Sequence, residues 1–342
     1  MHAAVGPGRN DTAREDESEA ASIGGPSRQG QSPRRCAWRT AGGRPRLLGS
    51  GLGALLWLAL AVAPAQAARI LHATVPTLLS GAGERDCRVY LPPSYATQAA
   101  RERRYPVVVF LHGWPGAEGN WPGQGNAGET LDRLINAGRI PELIGLFPDG
   151  TGVGRLGRSM WMDSEDGRSK LETFLATDLV SWVDRTYRTQ RGPAARAVIG
   201  LSDGATGGMN LIMRHPDVYG AVGAHSGVYR LTSDWSSQPL FGPEPRASLL
   251  RAANSPLARV VLDAAALRRA IVYFDCGDRD ESLADNRALH GALDSLRIPH
   301  EFHIYPGSHD WGYWRTHLEQ SLIAVTAHMR SAGASIDTLS QR

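Results

Sequence analysis

The sequence predicts an α/β fold in which a mostly parallel central sheet carries helices on both faces. Three observations predict it. Short runs too apolar to face water on either side recur along the chain. Longer segments with helical periodicity lie between them. The two alternate, which is the pattern of parallel strands joined by crossover helices.

From residue 85 the elements read in order. CRVYLPPSY (87–95) is a strand that stops at two prolines, and YPVVVFLHG (105–113) is a β-branched central strand. LIGLFPDG (143–150), ARAVIGLS (195–202), YGAVGAHSG (219–227), AIVYFDCG (270–277) and EFHIYPG (301–307) repeat the theme. LETFLATDLVSWVDRTY (171–187) and LADNRALHGALDSLR (283–297) are amphipathic helices. The segment 232–260 is expected as an excursion from the sheet. No internal repeat and no second domain boundary is found. In open sheets of this kind, ligands gather at the carboxyl ends of the strands.

The first 46 residues differ from the rest: they hold few bulky apolar residues and much Gly, Ser, Pro and Arg, so they bury no core and are expected to be disordered. Leu47 to Pro64 is an apolar segment with arginines before it and none inside, followed by Ala65-Gln66-Ala67. That order describes a secretory signal peptide spanning 47–67 with its cleavage site. The alternative is a membrane anchor, since the run is near the lower length for spanning. Arg34-Arg35 is a weak twin-arginine signal, and the long lead is consistent with a mis-assigned start. An exported protein is expected, periplasmic or secreted, with residues 68–342 as a single α/β domain.

The formal charge of +3 belongs to the leader, because the first 46 residues hold eight Arg and five acidic residues while the remainder holds 29 of each sign. A balanced surface gives no reason to expect nucleic acid as a partner, and a membrane only through an uncleaved signal segment. Cys87 and Cys276 lie in strand-like runs and are expected as buried thiols rather than a disulfide framework. No Cys/His spacing suggests a zinc site, and no cofactor motif is present. The oligomeric state is not legible.

Gly200-Leu201-Ser202-Asp203-Gly204 matches G-x-S-x-G. The bare pattern is weak in a glycine-rich chain, but here a buried strand precedes it and a helix that stops near Pro216 follows. That setting is a nucleophile elbow, in which glycines leave room for a strained serine. A serine hydroxyl needs a base, which in the α/β-hydrolase chain order comes last, after the acid. His309 sits on a loop just past the last strand, whereas His303 lies inside that strand and His317 and His328 are expected on the surface of the final helix. The acid belongs after AIVYFDCG, where Asp278, Asp280 and Glu281 crowd together. Asp280 is the best placed, and Asp275, within the strand, is a poorer candidate. The oxyanion donors are expected to be the backbone N–H groups of Asp203 and Trp114. His112 is expected to shape the oxyanion loop rather than act as a base.

YPVVVFLHGWPG, LFPDG, the segment ending AVIGLSDGATGGMNLIMRHPDVYGAVGAHSG, FDCGDRDESL and YPGSHDWGYW together resemble the esterase D/antigen 85-like branch of the α/β-hydrolases. The resemblance runs from Cys87 to Ala327. It implies the α/β-hydrolase fold, a Ser202–Asp280–His309 triad, an oxyanion hole from Trp114 and Asp203, and a serine carboxylesterase acting on a small or carbohydrate-linked ester. An acyltransferase of the mycolyltransferase type and a non-catalytic carbohydrate-binding domain are the alternatives. The branch often shows G-x-S-M-G-G, so Asp203 and Ala205 depart from it, and the Asp203 side chain is expected to point away from the oxyanion pocket. The branch includes S-formylglutathione hydrolases, feruloyl and acetylxylan esterases, siderophore esterases and mycolyltransferases, and the signal peptide argues against the first of these. His112, Trp121, Trp161 and Trp311 are candidates to line the substrate pocket. Trp114 and Trp314 fall on the same loops, and two or three of these tryptophans are expected merely to pack beneath them.

Overall fold

The computed structural model describes residues 69–80 and 83–339, so the expected leader (1–46) and signal segment (47–67) lie outside the described residues. Eight strands form one sheet: β1 (Arg69–Pro76), β2 (Glu84–Leu91), β3 (Val107–Leu111), β4 (Ile144–Pro148), β5 (Arg196–Leu201), β6 (Ala221–His225), β7 (Ile271–Gly277) and β8 (Glu301–Tyr305). Their spatial order is β1-β2-β4-β3-β5-β6-β7-β8. β1 and β2 pair antiparallel, β2 meets β4 antiparallel, and every later pair is parallel. This is the α/β-hydrolase architecture. β1 was not anticipated: RILHATVP is largely exposed and alternates too weakly to announce a strand, and it depends on pairing with β2.

β3 to β6 are buried along their whole length, and the alternation of their side chains builds two cores. On one face Val107, Val109, Val198 and Val222 pack with Met209 and Ile212 of α3 (Asp203–Arg214), Leu179 of α2 (Leu179–Thr186) and Leu289 of α5 (Leu283–Ser295). On the other, Val108, Phe110, Ala197 and Ile199 pack with Leu131 of α1 (Ala127–Asn136) and Leu318, Leu322 and Val325 of α6 (Trp311–Leu339). The helix that carries α2 begins at Leu171 and passes through a π-helical turn at Phe174–Asp178.

The 232–260 excursion contains α4 (Arg246–Asn254), and a small third cluster of Met160, Met162, Leu231, Leu240, Phe241 and Ala247 joins this excursion to the loop after β4. Among the described residues no helix is long and apolar enough to cross a membrane. Cys87 and Cys276 are free and buried, and burial pushes each thiol up to about 12. His317, expected at the surface, is instead half-buried, its ring stacked 4.2 Å from Tyr305. The side chain of His328 lies outside the described residues.

Candidate active site

β5 ends at Leu201 and α3 begins at Asp203, so Ser202 alone makes the turn, with φ 53° and ψ −120°. A non-glycine residue there stores about 1–3 kcal/mol of strain. Crowding on both sides explains the motif. A Cβ on Gly200 would stand 2.1 Å from the Gly204 carbonyl oxygen, and one on Gly204 would stand 2.3 Å from that of Leu111. The loop after β3 is equally close, because a Cβ placed on Gly113 would lie 3.1 Å from Ser202 Cβ. The Ser202 N–H donates to the His225 carbonyl at 2.9 Å, which ties the elbow to β6.

Three side chains from three loops at the carboxyl edge of the sheet meet in a line. Ser202 Oγ lies 3.0 Å from His309 Nε2, and His309 Nδ1 lies 3.0 Å from both carboxylate oxygens of Asp280. Burial pushes the Asp280 carboxyl up, but hydrogen bonds from His309, Ser226 and Ser282 outweigh it and hold the group down at about 2. Burial pulls His309 down, and the Asp280 hydrogen bond and charge, helped by Glu281 and Asp203, more than reverse this and raise it. Trp314 holds the imidazole edge-on at 5.0 Å while its indole N–H donates to Ser226 Oγ at 3.0 Å. Of the rival acids, Asp278 points elsewhere and accepts from the Gly307 N–H at 2.9 Å.

Asp275 belongs to a different group. Its Oδ1 lies 3.0 Å from His225 Nδ1 and accepts from the Tyr313 hydroxyl at 2.8 Å, and His225 Nε2 lies 2.9 Å from Ser321 Oγ. Asp275, His225 and Ser321 are fully buried.

Asp203 opens α3 directly after Ser202, where an N–H has no partner inside the helix, and the loop after β3 that leads to Trp114 approaches Ser202 at Gly113. The Asp203 carboxylate turns to Arg158, which donates to it from Nε and Nη2, both at 2.8 Å. Arg158 also meets Asp234 at 3.3 Å and Ser236 at 2.5 Å, and its guanidinium lies 5.1 Å from the Trp114 ring. Neither Arg158 nor its partners in the excursion were anticipated, since 45 and 76 residues separate the paired groups and no local pattern marks them.

Three of the four residues expected to line the pocket, His112, Trp121 and Trp161, are buried. Trp121 is 1% exposed and donates to the Leu111 carbonyl, and Trp161 is 2% exposed and donates to the His112 carbonyl. Both indoles are consumed in pinning the backbone where β3 ends and its loop begins. His112 is buried as well: its Nε2 accepts from the Gly150 N–H at 2.9 Å, so its proton sits on Nδ1 and is donated to the Gly113 carbonyl at 2.7 Å. Burial lowers its pKa, which keeps the ring neutral. Trp311 alone of the four stays half-exposed, edge-on to Trp121 and Trp314. The aromatic that the sequence reading overlooked is Trp235, 74% exposed and set between Asp234 and Ser236, the two residues that grip Arg158.

The fold and site define an esterase-type α/β hydrolase, and the comparisons agree. A family model described as putative esterase matches residues 81–325, and the chain belongs to that family. It is similar to an endo-1,4-beta-xylanase/feruloyl esterase of Xylanibacter ruminicola, 27% identical over 235 residues that cover 68% of this chain and 28% of that protein. It is also similar to an esterase of Mycobacterium tuberculosis, 26% identical over 279 residues that cover 73% of this chain and 58% of that protein. The chain thus spans less than two thirds of these relatives. Among solved structures, a ferulic acid esterase superposes with a TM-score of 0.68 at 28% identity, covering 76% of this chain and 98% of that one. An S-formylglutathione hydrolase from Staphylococcus aureus shares the fold, with a TM-score of 0.61 at 16% identity over 75% of this chain and 97% of that one.

Proposed function

We propose that this chain is an exported serine carboxylesterase that cleaves an ester through an acyl-enzyme, with an ester of ferulic acid type as its substrate class. One observation carries the reading: Ser202 Oγ lies 3.0 Å from His309 Nε2 on a strained elbow, with Asp280 behind the imidazole. The relatives and the solved structure named as feruloyl or ferulic acid esterases support the substrate class.

Ser202 attacks the ester carbonyl as its hydroxyl proton passes to His309 Nε2. The oxyanion that forms rests on the Trp114 and Asp203 amides. Collapse of the tetrahedral intermediate breaks the carbon–oxygen bond to the alcohol, which takes the proton from His309. Water then attacks the acyl-enzyme and gives its proton to His309, and the same proton returns to Ser202 as the acid departs. Asp280 stays ionised throughout and fixes the imidazole tautomer.

The test is turnover of methyl ferulate and a series of p-nitrophenyl esters by the wild type beside Ser202→Ala, with a fluorophosphonate probe for the nucleophile. Wild-type turnover, a flat variant and labelling at Ser202 are expected. Labelling without hydrolysis of any ester would overturn the hydrolase reading, in favour of an acyltransferase where an added alcohol acceptor restores turnover, and absence of labelling would overturn the nucleophile.

A further inference from the structure

Far from the serine, at the amino-terminal end of β8, three donor side chains converge. His300 precedes β8, while His290 and Asp294 sit one turn apart on α5. His300 Nδ1 lies 2.8 Å from the Ile298 carbonyl oxygen, which only accepts, so the ring proton is there and Nε2 presents its lone pair. That lone pair faces His290 Nδ1 at 2.8 Å and Asp294 Oδ1 at 3.8 Å. Asp294 Oδ2 lies 3.4 Å from His290 Nε2, and one ligand atom from each of the three residues falls within 4.8 Å of the others.

We propose that His290, Asp294 and His300 form a binding site for a divalent transition metal of the zinc type. The set is built rather than incidental. The His300 side chain is 4% exposed and stacks on Phe274 at 5.8 Å, and His290 packs against Phe302 at 4.9 Å, so apolar rings fix the planes of both imidazoles. A backbone carbonyl on the distal nitrogen is the usual orienting partner of a metal-bound histidine. Two imidazoles with one carboxylate suit zinc, cobalt or nickel and not calcium or magnesium, which take oxygen donors. Tetrahedral ligands about 2.0–2.1 Å from zinc stand roughly 3.3 Å apart, so the facing nitrogens need to separate by about half an ångström. His290, with its side chain 40% exposed, has room to move, and an open side admits the ion and the water that completes its shell. The ion would replace the proton between the rings and fasten the last turn of α5 to the first residue of β8. The site is at the opposite end of β8 from His309, so it bears on stability rather than on ester cleavage.

The experiment uses the full chain without a histidine tag. Zinc and cobalt are titrated by calorimetry, cobalt also by visible absorption, and melting is followed with and without zinc and after chelation. One ion per chain is expected, with a rise in Tm of about 5 °C at saturating zinc that chelator reverses. The exposed variants His290→Gln and Asp294→Asn should fold as the wild type does, keep their esterase activity and each weaken binding at least tenfold. Absence of saturable binding, or binding undiminished in both variants, would overturn the site, and neither outcome depends on whether Ser202 is a nucleophile.

Discussion

Ser202–His309–Asp280 and Ser321–His225–Asp275 hold the same three side chains, joined in the same order by contacts of 2.9 or 3.0 Å. What surrounds them differs. Ser202 stands on a turn with positive φ directly before α3, with His309 half-buried. Ser321 lies inside α6, fully buried, and its hydroxyl donates to the Leu318 carbonyl at 3.0 Å, so its proton is committed to the helix. The first chain is arranged to release a proton toward an incoming group; the second fastens α6 and β6 to β7. Residue type and mutual distance are thus the same in both, and access and backbone strain are what set Ser202 apart.

The contrast breaks most sharply at the serines. Ser202→Ala should reduce ester turnover by about 10⁴-fold or more while leaving Tm within about 1 °C. Ser321→Ala should do the reverse, costing about 1–3 kcal/mol because it leaves His225 Nε2 without a partner in the core, with kcat/KM changed less than about threefold. Paired steady-state kinetics and urea melts check both. If Ser321→Ala loses activity while still folded, the distinction between the chains falls.

The acids give the next largest effect. Asp280→Asn should lower kcat by roughly 10³–10⁴-fold by presenting the wrong tautomer of His309. Asp275→Asn should instead be read in stability, costing about 1–3 kcal/mol through the partners it leaves in the core.

Arg158 sharpens the comparison, because it supplies what the open chain needs and the buried one lacks. Arg158→Met should leave the Asp203 carboxylate unpaired beside the oxyanion site and cut kcat/KM by about tenfold, less than the loss of an oxyanion donor. Adding Asp203→Asn should recover most of that. Equal losses in the single and double variants would show that Arg158 acts only by holding the excursion in place.

The smallest effect lies in pH. His309 acts as a base only when neutral, and its raised pKa puts the acid limb of kcat/KM above the usual imidazole value of about 6.5. Glu281→Gln removes one of the charges responsible and should move that limb down, read as a shift of the kcat/KM pH profile beside the wild type. Stability runs the other way for this group: its contribution is complete below the unfolded pKa and is lost as pH rises through the folded one.

Much of this arrangement was legible because it is local. G-x-S-x-G, its strand and its helix are contiguous, and chain order points to His309 and to the loop of the acid, where Asp280 is preferred over Asp278 and Glu281 by its distance past the turn glycine. The pocket was not legible. Trp121 and Trp161 fall on or near the segments that sequence places as loops at the carboxyl edge, but their indole N–H groups reach backbone carbonyls 10 and 49 residues away and turn the rings inward. Arg158 and Trp235 owe their positions to pairings across the excursion, which leave no periodic trace.

The two cysteines bear on how the chain must be made. Cys87 is on β2 and Cys276 on β7, five strand steps apart in the sheet. At about 4.8 Å per step they are roughly 24 Å from each other, against the ~7 Å that a disulfide can span. Folding of the described domain therefore consumes no oxidant, and a reducing compartment or a purification buffer rich in thiol should yield the same protein as an oxidising one.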